Sequence, residues 1–248
     1  MILEVNNLSK YFKGVKAIQN LSFSVNQGEI VGLIGPNGAG KSTVFDMISA
    51  TRPPDGSSSL PNTGTITFNE ANIIGKAPYE ICRMGIARTF QITKVIQELS
   101  VLENVMVSYM FGKAHATTRS RMLDEAEKIC DFMELAEKID TPAEKLTIVE
   151  RKRLEMARAL ATQPTLMLLD EVMAGLRPAE IDRACEIVRK IRDAGTTIIV
   201  VEHVMKAIMA ISDRLVVMDS GRKIAEGKPS EIVNNPLVIE AYFGKEDK

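Results

Sequence analysis

The sequence is poor in several residue types, and each shortage argues against a class of protein. Its 248 residues include no tryptophan, two histidines and three cysteines. The cysteines, Cys82, Cys130 and Cys185, are scattered without the spacing of metal ligands. Neither a disulfide framework nor a zinc site is therefore indicated, and a reducing cytosol fits. Cys130 and Cys185 fall among residues with a helical pattern, where buried small hydrophobes are expected.

Long apolar runs and a charge imbalance are also missing. No run is long enough to cross a bilayer as a helix, and the N-terminus lacks the basic region and apolar core of a signal peptide. A role at a membrane is therefore expected to depend on a partner. The 31 basic and 32 acidic residues nearly cancel. This balance argues against a nucleic-acid binder that relies on a strong positive field, but not against a local basic patch.

The stretch GPNGAGKST, residues 35–43, is the strongest functional signal. It lies between an apolar run, predicted as a buried strand, and a predicted helix, the context in which G-x-x-x-x-G-K-[ST] indicates a nucleoside-triphosphate site. Lys41 is expected on the β- and γ-phosphates and the Ser42 hydroxyl on Mg²⁺, with backbone amides forming an anion-binding nest. A glycine-rich turn without a ligand would leave the Lys-Ser pair unexplained. The predicted nucleotide-binding residues of this loop are Gly35, Pro36, Asn37, Gly38, Ala39, Gly40, Lys41, Ser42 and Thr43.

A second signal is an apolar strand that ends in two acids. Residues 166–169 are apolar and lead directly into Asp170 and Glu171. In a P-loop protein this is the Walker B arrangement, in which Asp170 serves Mg²⁺ directly or through water. Glu171 is then placed to polarise an attacking water. The alternative is a solvated acidic pair at a strand end, but the P-loop in the same chain favours the functional interpretation.

The stretch between these motifs has a helical pattern. Residues 98–139 are predicted as largely helical, with an apolar stripe that is expected in a core. Thr147 and Glu150 form the T-x-x-E of a capping box, which predicts a helix beginning near Thr147. The stripe consists of Met122, Ala126, Ile129, Met133 and Ala136, and the apolar face of the later helix of Leu154, Ala157 and Ala161. The pattern predicts a mostly helical insert within an α/β domain.

A further candidate residue is His203, which ends a predicted strand over residues 196–203. A lone histidine is usually only packed or exposed, but the carboxyl ends of strands in open α/β sheets are where ligands bind. The remaining pattern predicts short strands at residues 2–5 and 21–25, an exposed loop at residues 53–64 and a hairpin over residues 215–226.

Taken in order, these features resemble the ATPase subunits of ABC transporters. An aromatic residue follows Leu8-Ser9-Lys10, and then come GPNGAGKST, a glutamine after a short strand, a helical insert, an apolar run ending in Asp-Glu and a strand-ending histidine. The resemblance covers essentially the whole chain. LDEVMAGLRP, VEHVMKAIMAISDRLVVMDSGRKIAEGKPSEI and the terminal VIEAYFG are similar to the LivG-type subunits of branched-chain amino-acid importers.

This resemblance implies roles for individual residues. Phe12 is implied as the aromatic residue that stacks on adenine, and Tyr11 is the alternative for that role. A second alternative is that both aromatic residues only pack in the core. Gln91 resembles the Q-loop glutamine, which reaches Mg²⁺ and the attacking water and also senses the membrane subunit, and His203 resembles the switch histidine on the γ-phosphate. The catalytic candidates are Glu171, His203, Gln91 and Lys41, and the metal candidates are Ser42, Gln91 and Asp170.

The sequence departs from the family at its signature. In this family two ATPase subunits sandwich ATP, and each P-loop faces the other subunit's L-S-G-G-Q helix, which aligns here with LTIVE at residues 146–150. Thr147 keeps a hydroxyl for that nucleotide, but both glycines are replaced, and Glu150 adds a negative charge unless it folds back as the capping-box acid. Arg177 stands at the D-loop aspartate, and Val172 at the proline after the catalytic glutamate. We therefore expect a heterodimer in which the site completed by this chain's signature is weak.

The predicted fold class is α/β: a P-loop NTPase (RecA-like) core with an antiparallel β subdomain and an inserted helical subdomain, in the ABC ATPase architecture. Residues 1–248 are predicted to form one ABC ATPase domain. Within it, residues 1–91 and 162–248 form the nucleotide-binding core with the β subdomain, and residues 92–161 form the helical subdomain with the signature.

The predicted function is Mg²⁺-dependent ATP hydrolysis that powers uptake of branched-chain amino acids or a related small polar solute. The expected location is cytoplasmic, peripheral on the inner face of the cell membrane. Expected partners are a second, homologous ATPase subunit, membrane permease subunits and, indirectly, a periplasmic or extracellular solute-binding protein, with no nucleic acid. Two alternatives stay open: a soluble non-transport ABC-type ATPase switch, and an ATP-binding subunit whose altered signature leaves hydrolysis weak.

Overall fold

The computed structural model describes residues 1–51, 61–112 and 118–243. The chain divides into two compact units: the first is formed by Met1–Pro78 and Thr197–Lys248, and the second by Tyr79–Thr196. The expected extent of the helical subdomain, residues 92–161, stays a prediction. None of the helices in the described part of the chain is long and apolar enough to cross a membrane.

Strands and helices are mixed along the chain. They are β1 (Leu3–Phe12), β2 (Val15–Val25), β3 (Ile30–Ile34), α1 (Lys41–Ser49), β4 (Thr63–Phe68), β5 (Ala71–Asn72), α2 (Pro78–Met84), β6 (Ile86–Arg88), α3 (Val101–Phe111), α4 (Arg119–Phe132), α5 (Ile148–Ala161), β7 (Leu166–Asp170), α6 (Pro178–Asp193), β8 (Thr197–Val201), α7 (Met205–Ile211), β9 (Arg214–Asp219), β10 (Arg222–Gly227), α8 (Pro229–Ile232) and α9 (Pro236–Phe243).

An antiparallel sheet in the first unit has the strand order β2-β1-β4-β5. The two short strands expected before the P-loop are longer than predicted, because β1 and β2 continue to a tight turn at Lys13 and Gly14, where φ is 44° and 91°. Register shifts on either side of Leu8 interrupt the pairing of β1 with β2. Such bulges break the alternation of apolar and polar residues on which a strand prediction depends. Of the loop expected at residues 53–64, residues 53–60 lie outside the described part, and Thr63 already begins β4.

The other strands of the first unit follow the order β10-β9-β3-β8. β3 pairs in parallel with both β8 and β9, while β10 and β9 form the predicted antiparallel hairpin. Every residue of β3 and of β8 is buried. Strands covered on both faces read as continuous apolar runs, which is the pattern from which they were predicted. β8 ends at Val201, so the predicted strand over residues 196–203 is too long and His203 lies beyond it.

The second unit combines a parallel strand pair with a group of helices. β6 pairs with β7, with Ile86 opposite Leu166, and α3, α4 and α5 contact one another. The predicted apolar stripe is partly wrong: Ala126 and Met133 are buried, but Ala136 is exposed. The reason is that α4 ends at Phe132 and Glu134 has a φ of 58°, so the helical period does not reach Ala136.

The predicted helix start at Thr147 is confirmed. Thr147 is the N-cap of α5, and both hydrogen bonds of the capping box with Glu150 are formed. The expected apolar face of Leu154, Ala157 and Ala161 is fully buried. Cys130 and Cys185 are also buried, as expected of small hydrophobes, and burial raises the pKa of the Cys130 thiol to about 11.

Candidate functional site

The loop between β3 and α1 is shaped by glycines that have no room for a side chain. Gly35 has a φ of 152°, and a Cβ there would lie 2.0 Å from the carbonyl oxygen of Met218. Gly40, the N-cap of α1, has a φ of 100°, and its Cβ would lie 2.7 Å from the carbonyl oxygen of Ala17. Both positions combine a left-handed backbone with close contact to neighbouring main chain, so only glycine fits.

Lys41 is enclosed by this loop. Its side chain is buried, and Nζ donates hydrogen bonds to the carbonyl oxygens of Gly35 at 2.7 Å and Pro36 at 3.0 Å. The outer residues of the loop, Asn37 and Gly38, are exposed, as is Ser42 in the first turn of α1. A helix N-terminus with a lysine ammonium beside it favours a phosphate ligand.

The other candidates of the first unit lie on separate elements. Phe12 ends β1 and is partly exposed, and Lys10 Nζ lies 4.8 Å from the centre of its ring. Tyr11 is 40% exposed. His203 is exposed and lies in the bend between β8 and α7. The roles of Phe12 and His203 stay predictions.

In the second unit, Asp170 ends β7 and is paired with an arginine that was not predicted. Arg88 Nη2 lies 2.9 Å from Asp170 Oδ2, and their side chains are 8% and 4% exposed. The backbone N–H of Asp170 also donates to the Thr89 hydroxyl at 2.9 Å. Arg88 and Thr89 come directly before the Gln91 segment. A basic residue at the end of the short apolar strand β6 is the sequence signal that could have identified this pair.

Glu171 and Gln91, both expected near the reacting water, are brought together. Gln91 Nε2 donates to Glu171 Oε2 at 2.9 Å. Glu171 has a φ of 53°, the left-handed conformation that non-glycine residues seldom adopt. The Lys152 ammonium, on α5, donates to the backbone carbonyl of Glu171 at 2.9 Å. No local motif could have pointed to Lys152.

A buried acid on α5 holds the residues on either side of Gln91. Glu155 is 6% exposed, and its Oε1 accepts the backbone N–H of Phe90 at 2.7 Å. Burial raises the pKa of Glu155. Hydrogen bonds from the backbone of Phe90 and Lys94 and from the Thr93 side chain oppose that rise. One turn along α5, Arg158 Nη1 donates to the carbonyl oxygen of Lys94.

The altered signature begins α5, and its acid folds back. Glu150 Oε2 accepts from the Thr147 backbone N–H at 2.8 Å and from the Thr147 hydroxyl at 2.9 Å. The backbone hydrogen bond is the main reason why the pKa of Glu150 is lowered, and burial opposes it. Ile148 is 63% exposed at the start of the helix. Arg177, at the D-loop position, pairs with Glu180 on its own helix.

Some of the predicted residues thus form a group in each unit, while Phe12, His203 and Thr147 lie on other elements. In the first unit the loop of residues 35–43 surrounds Lys41 at the start of α1. In the second unit Gln91 and Glu171 are hydrogen bonded, and Asp170 precedes Glu171 at the end of β7. The assignment of nucleotide and metal roles to these residues stays a prediction.

Comparison with known proteins identifies the family. Residues 18–174 match the ABC transporter family, and residues 222–248 match the branched-chain amino acid ATP-binding cassette transporter family. The solved nucleotide-free ATP-binding cassette of an ABC transporter is 31% identical, with a TM-score of 0.86, and covers 98% of this chain and 99% of its own. The ADP conformation of such a cassette gives a TM-score of 0.87 at 32% identity, with the same coverage. The chain belongs to the ABC transporter family, and the predicted fold class is confirmed.

Within that family the similarity extends over the full length of named relatives. The high-affinity branched-chain amino acid transport ATP-binding protein LivG of Salmonella typhimurium is 39% identical and is covered to 98%, as is this chain. The corresponding protein BraF of Pseudomonas aeruginosa is 35% identical with the same coverage. The predicted resemblance to LivG-type subunits is confirmed.

Proposed function

We propose that this chain is the ATP-hydrolysing subunit of an importer of branched-chain amino acids. The observation that carries the ATPase assignment is the 2.9 Å hydrogen bond between Gln91 and Glu171 beside a Walker B strand, in a chain that also has a complete P-loop. The solute class is supported by the full-length similarity to LivG and BraF and by the match of residues 222–248. A related small polar solute is the nearest alternative within the same function.

The reaction follows from the chemistry of the two groups of residues. The amides at the start of α1 and the Lys41 ammonium bind the β- and γ-phosphates, and Phe12 stacks on adenine. Glu171 accepts the proton of the attacking water, which Gln91 orients, and His203 contacts the γ-phosphate. Phosphoryl transfer needs little covalent participation from the protein, so catalysis rests on positioning and charge stabilisation.

The described residues fit Mg²⁺ as the metal that accompanies ATP. The Ser42 hydroxyl is exposed at the start of α1, and Asp170 supplies a carboxylate at the end of β7. Hydroxyl, carboxylate and amide oxygens are the ligands that Mg²⁺ prefers, usually one or two of them together with substrate phosphates. Ser42, Asp170 and Gln91 are the residues that would hold Mg²⁺, and Mg²⁺ would neutralise phosphate charge there.

The proposed partners follow from the incomplete site. A second, homologous ATPase subunit supplies the signature helix that faces this chain's P-loop. Permease subunits place the chain on the inner face of the membrane, and a solute-binding protein delivers the solute outside. No nucleic acid is involved.

Weak hydrolysis, one of the two alternatives, is supported at one site only. That site holds the partner's nucleotide and is completed by this chain's signature. There, the exposed Ile148 stands where the usual signature has a glycine, and Glu150, although folded back, accepts the Thr147 hydroxyl that was expected to face the partner's nucleotide. The residues of this chain's own half-site support turnover. We therefore propose a heterodimer with unequal sites rather than an inactive subunit.

The test uses the complex with its permease in proteoliposomes. Lys41→Ala removes the phosphate-binding ammonium, so nucleotide binding is lost. Glu171→Gln keeps the shape of the side chain but not the base, so ATP still binds while turnover falls by about 10²- to 10⁴-fold. Nucleotide affinity, phosphate release and uptake of labelled leucine are measured together.

Normal turnover in Glu171→Gln would contradict the assignment of Glu171 as the base. ATP-driven uptake of a different solute, without uptake of leucine, would contradict the substrate class. A chain that never co-purifies with a polytopic membrane protein would favour the soluble switch.

A further inference from the structure

One helix, α5, contacts both partners of the Gln91–Glu171 hydrogen bond. On one side, Lys152 Nζ donates to the backbone carbonyl of Glu171 at 2.9 Å. On the other side, Glu155 Oε1 accepts the backbone N–H of Phe90, the residue before Gln91, at 2.7 Å. Residues three apart on a helix are neighbours on its surface, so Lys152 and Glu155 act from adjacent points of one rigid element.

The hydrogen bonds of Glu155 all lie close to Gln91. Its carboxylate is buried, and burial raises its pKa, while its hydrogen-bond partners and the nearby charge of Lys152 oppose that rise. Those partners are the backbone of Phe90 and Lys94 and the side chain of Thr93. Arg158, on the next turn of α5, donates to the carbonyl oxygen of Lys94. Both the amides and the carbonyl of the segment around Gln91 are therefore fixed to α5.

The contact made by Lys152 falls where the backbone is strained. Glu171 has a φ of 53° and follows directly on the buried strand β7. A non-glycine residue in this conformation persists only when surrounding contacts hold it, and such strain is often found at functional sites. A charge-assisted hydrogen bond to the Glu171 carbonyl is a contact of this kind. It sets the direction in which the Glu171 side chain leaves the main chain.

We propose that Lys152 and Glu155 are positioning residues for ATP hydrolysis, which together fix the geometry of the Gln91–Glu171 pair from helix α5. This inference rests on the proposed roles of Gln91 and Glu171. Because α5 is also the helix that begins at Thr147, the signature helix that faces the partner's nucleotide is mechanically joined to the catalytic pair of its own chain. A displacement of α5 therefore acts on both Gln91 and Glu171, whereas loss of one of its two contacts changes their relative position.

The test compares variants of α5 in the complex with its permease. Lys152→Met keeps the aliphatic stem but removes the ammonium, and Lys152→Arg retains a donor. Arg153→Met is the matched control, because Arg153 lies on the same helix but pairs with Glu134 at 3.0 Å and not with the catalytic pair. We expect Lys152→Met to lower kcat by about 10- to 100-fold, as small misplacements of reacting groups do. The KM for ATP and the affinity for a fluorescent ATP analogue should change by less than about twofold, because Lys152 is not expected to contact the bound nucleotide.

Glu155→Gln and Glu155→Ala examine the other contact. Glu155→Gln keeps one acceptor and should lose less kcat than Glu155→Ala. Glu155 is buried, and its alanine variant could fail to fold. The variants of the half-buried Lys152 therefore decide the test. Partial recovery of kcat in Lys152→Arg and normal kcat in Arg153→Met support positioning. Unchanged kcat in Lys152→Met, or a raised KM at unchanged kcat, overturns it.

A double-mutant cycle separates this proposal from the assignment of the base. Gln91→Ala and Lys152→Met act through the same pair, so their combined loss in kcat should be smaller than the product of the single losses. Fully multiplicative losses overturn the inference, while Glu171→Gln with normal turnover overturns the proposed function instead.

Discussion

At Gly40, the N-cap of α1, there is no room for an added methyl group. We expect Gly40→Ala to lower the free energy of unfolding by about 1–3 kcal/mol, the usual cost of forcing a side chain into a sparsely populated conformation. It should also weaken nucleotide binding, since the Cβ would lie 2.7 Å from the Ala17 carbonyl and would displace the start of α1. Denaturant unfolding and nucleotide titration measure the two effects.

Gly38→Ala is the control for that substitution. Gly38 also has a positive φ, 81°, but a Cβ there would meet nothing within 4 Å. It carries the backbone strain without the steric clash, so it should cost less stability and less affinity. Equal losses in the two variants would contradict the importance of the contact with Ala17.

Arg88 forms a buried ion pair with Asp170. Arg88→Met removes one partner of an ion pair whose side chains are 8% and 4% exposed. Breaking a buried pair in this way costs about 3–5 kcal/mol. The comparison is Arg177→Met, whose guanidinium is 84% exposed where it pairs with Glu180 and whose loss should have no measurable effect on stability. Thermal and urea unfolding of both variants test the difference, and similar stabilities would show that Asp170 does not need Arg88.

The residues of the site that could be predicted from the sequence are those with local motifs. Lys41 and Ser42 follow glycines at fixed spacing, and Asp170 and Glu171 end an apolar run. Arg88 had only the weak signal of a basic residue at the end of β6, and Lys152 and Glu155 had none, because the partners of these three residues lie 82, 19 and 65 residues away along the chain. Contacts of that range are decided by the packing of helices and strands, which leaves no signature in a short stretch of sequence.

Among the elements, helix α5 has the best local explanation for its start. The hydrogen bonds from Thr147 lower the pKa of Glu150, so the stability that Glu150 supplies is present above its pKa in the unfolded chain. That stability is lost as the pH falls through the lowered pKa of the folded state. We expect Glu150→Ala to reduce the free energy of unfolding by about 1 kcal/mol at neutral pH, as loss of a cap does, and by nothing in acid below that pKa.

Urea unfolding at neutral and acid pH measures this dependence. Glu127→Ala is the control, because it removes an exposed acid in the middle of α4 that caps no helix, and it should leave the free energy of unfolding nearly unchanged. A destabilisation by Glu150→Ala that stays constant down to acid pH would contradict the role of the charged carboxylate in the cap.

The elements were predicted from the sequence with uneven success, and the failures have physical causes. Apolar runs identified β3, β7 and β8 because both faces of these strands are buried. β1 and β2 were predicted too short, since the register shifts near Leu8 and Lys10 change which face each residue occupies. The apolar stripe predicted from helical spacing extended past the end of α4 to Ala136, because no sequence signal marks the end of the helix near Phe132.

At the scale of the whole molecule, the altered signature predicts that two ATP sites in the complex are unequal. The site formed by this chain's own P-loop uses the partner's signature, whereas this chain's Ile148 and Glu150 complete the partner's site. We expect Glu171→Gln to remove most of the ATPase activity of the complex, and the equivalent change in the partner to remove little. Phosphate release by the two singly mutated complexes, measured at equal loading, tests the difference.

Glu150→Gln refines that comparison. It restores the neutral residue of the usual signature, and glutamine also serves in a capping box, so α5 should still begin at Thr147. Activity at the partner's site should rise in this variant. Two results would contradict the inequality of the sites. One is an equal loss of ATPase activity from Glu171→Gln and from the equivalent change in the partner, and the other is no gain in activity from Glu150→Gln.

The attachment of Gln91 and Glu171 to a single helix also has an evolutionary consequence. Lys152 and Glu155 bind main-chain groups of Glu171 and Phe90, so a donor at position 152 and an acceptor at position 155 should be retained even where the side chains around position 90 change. Arg153, on the same helix, contacts Glu134 and is free to vary with that acid instead. Among related sequences, two groups of positions on α5 should therefore vary independently. One group serves the reaction, and the other serves packing.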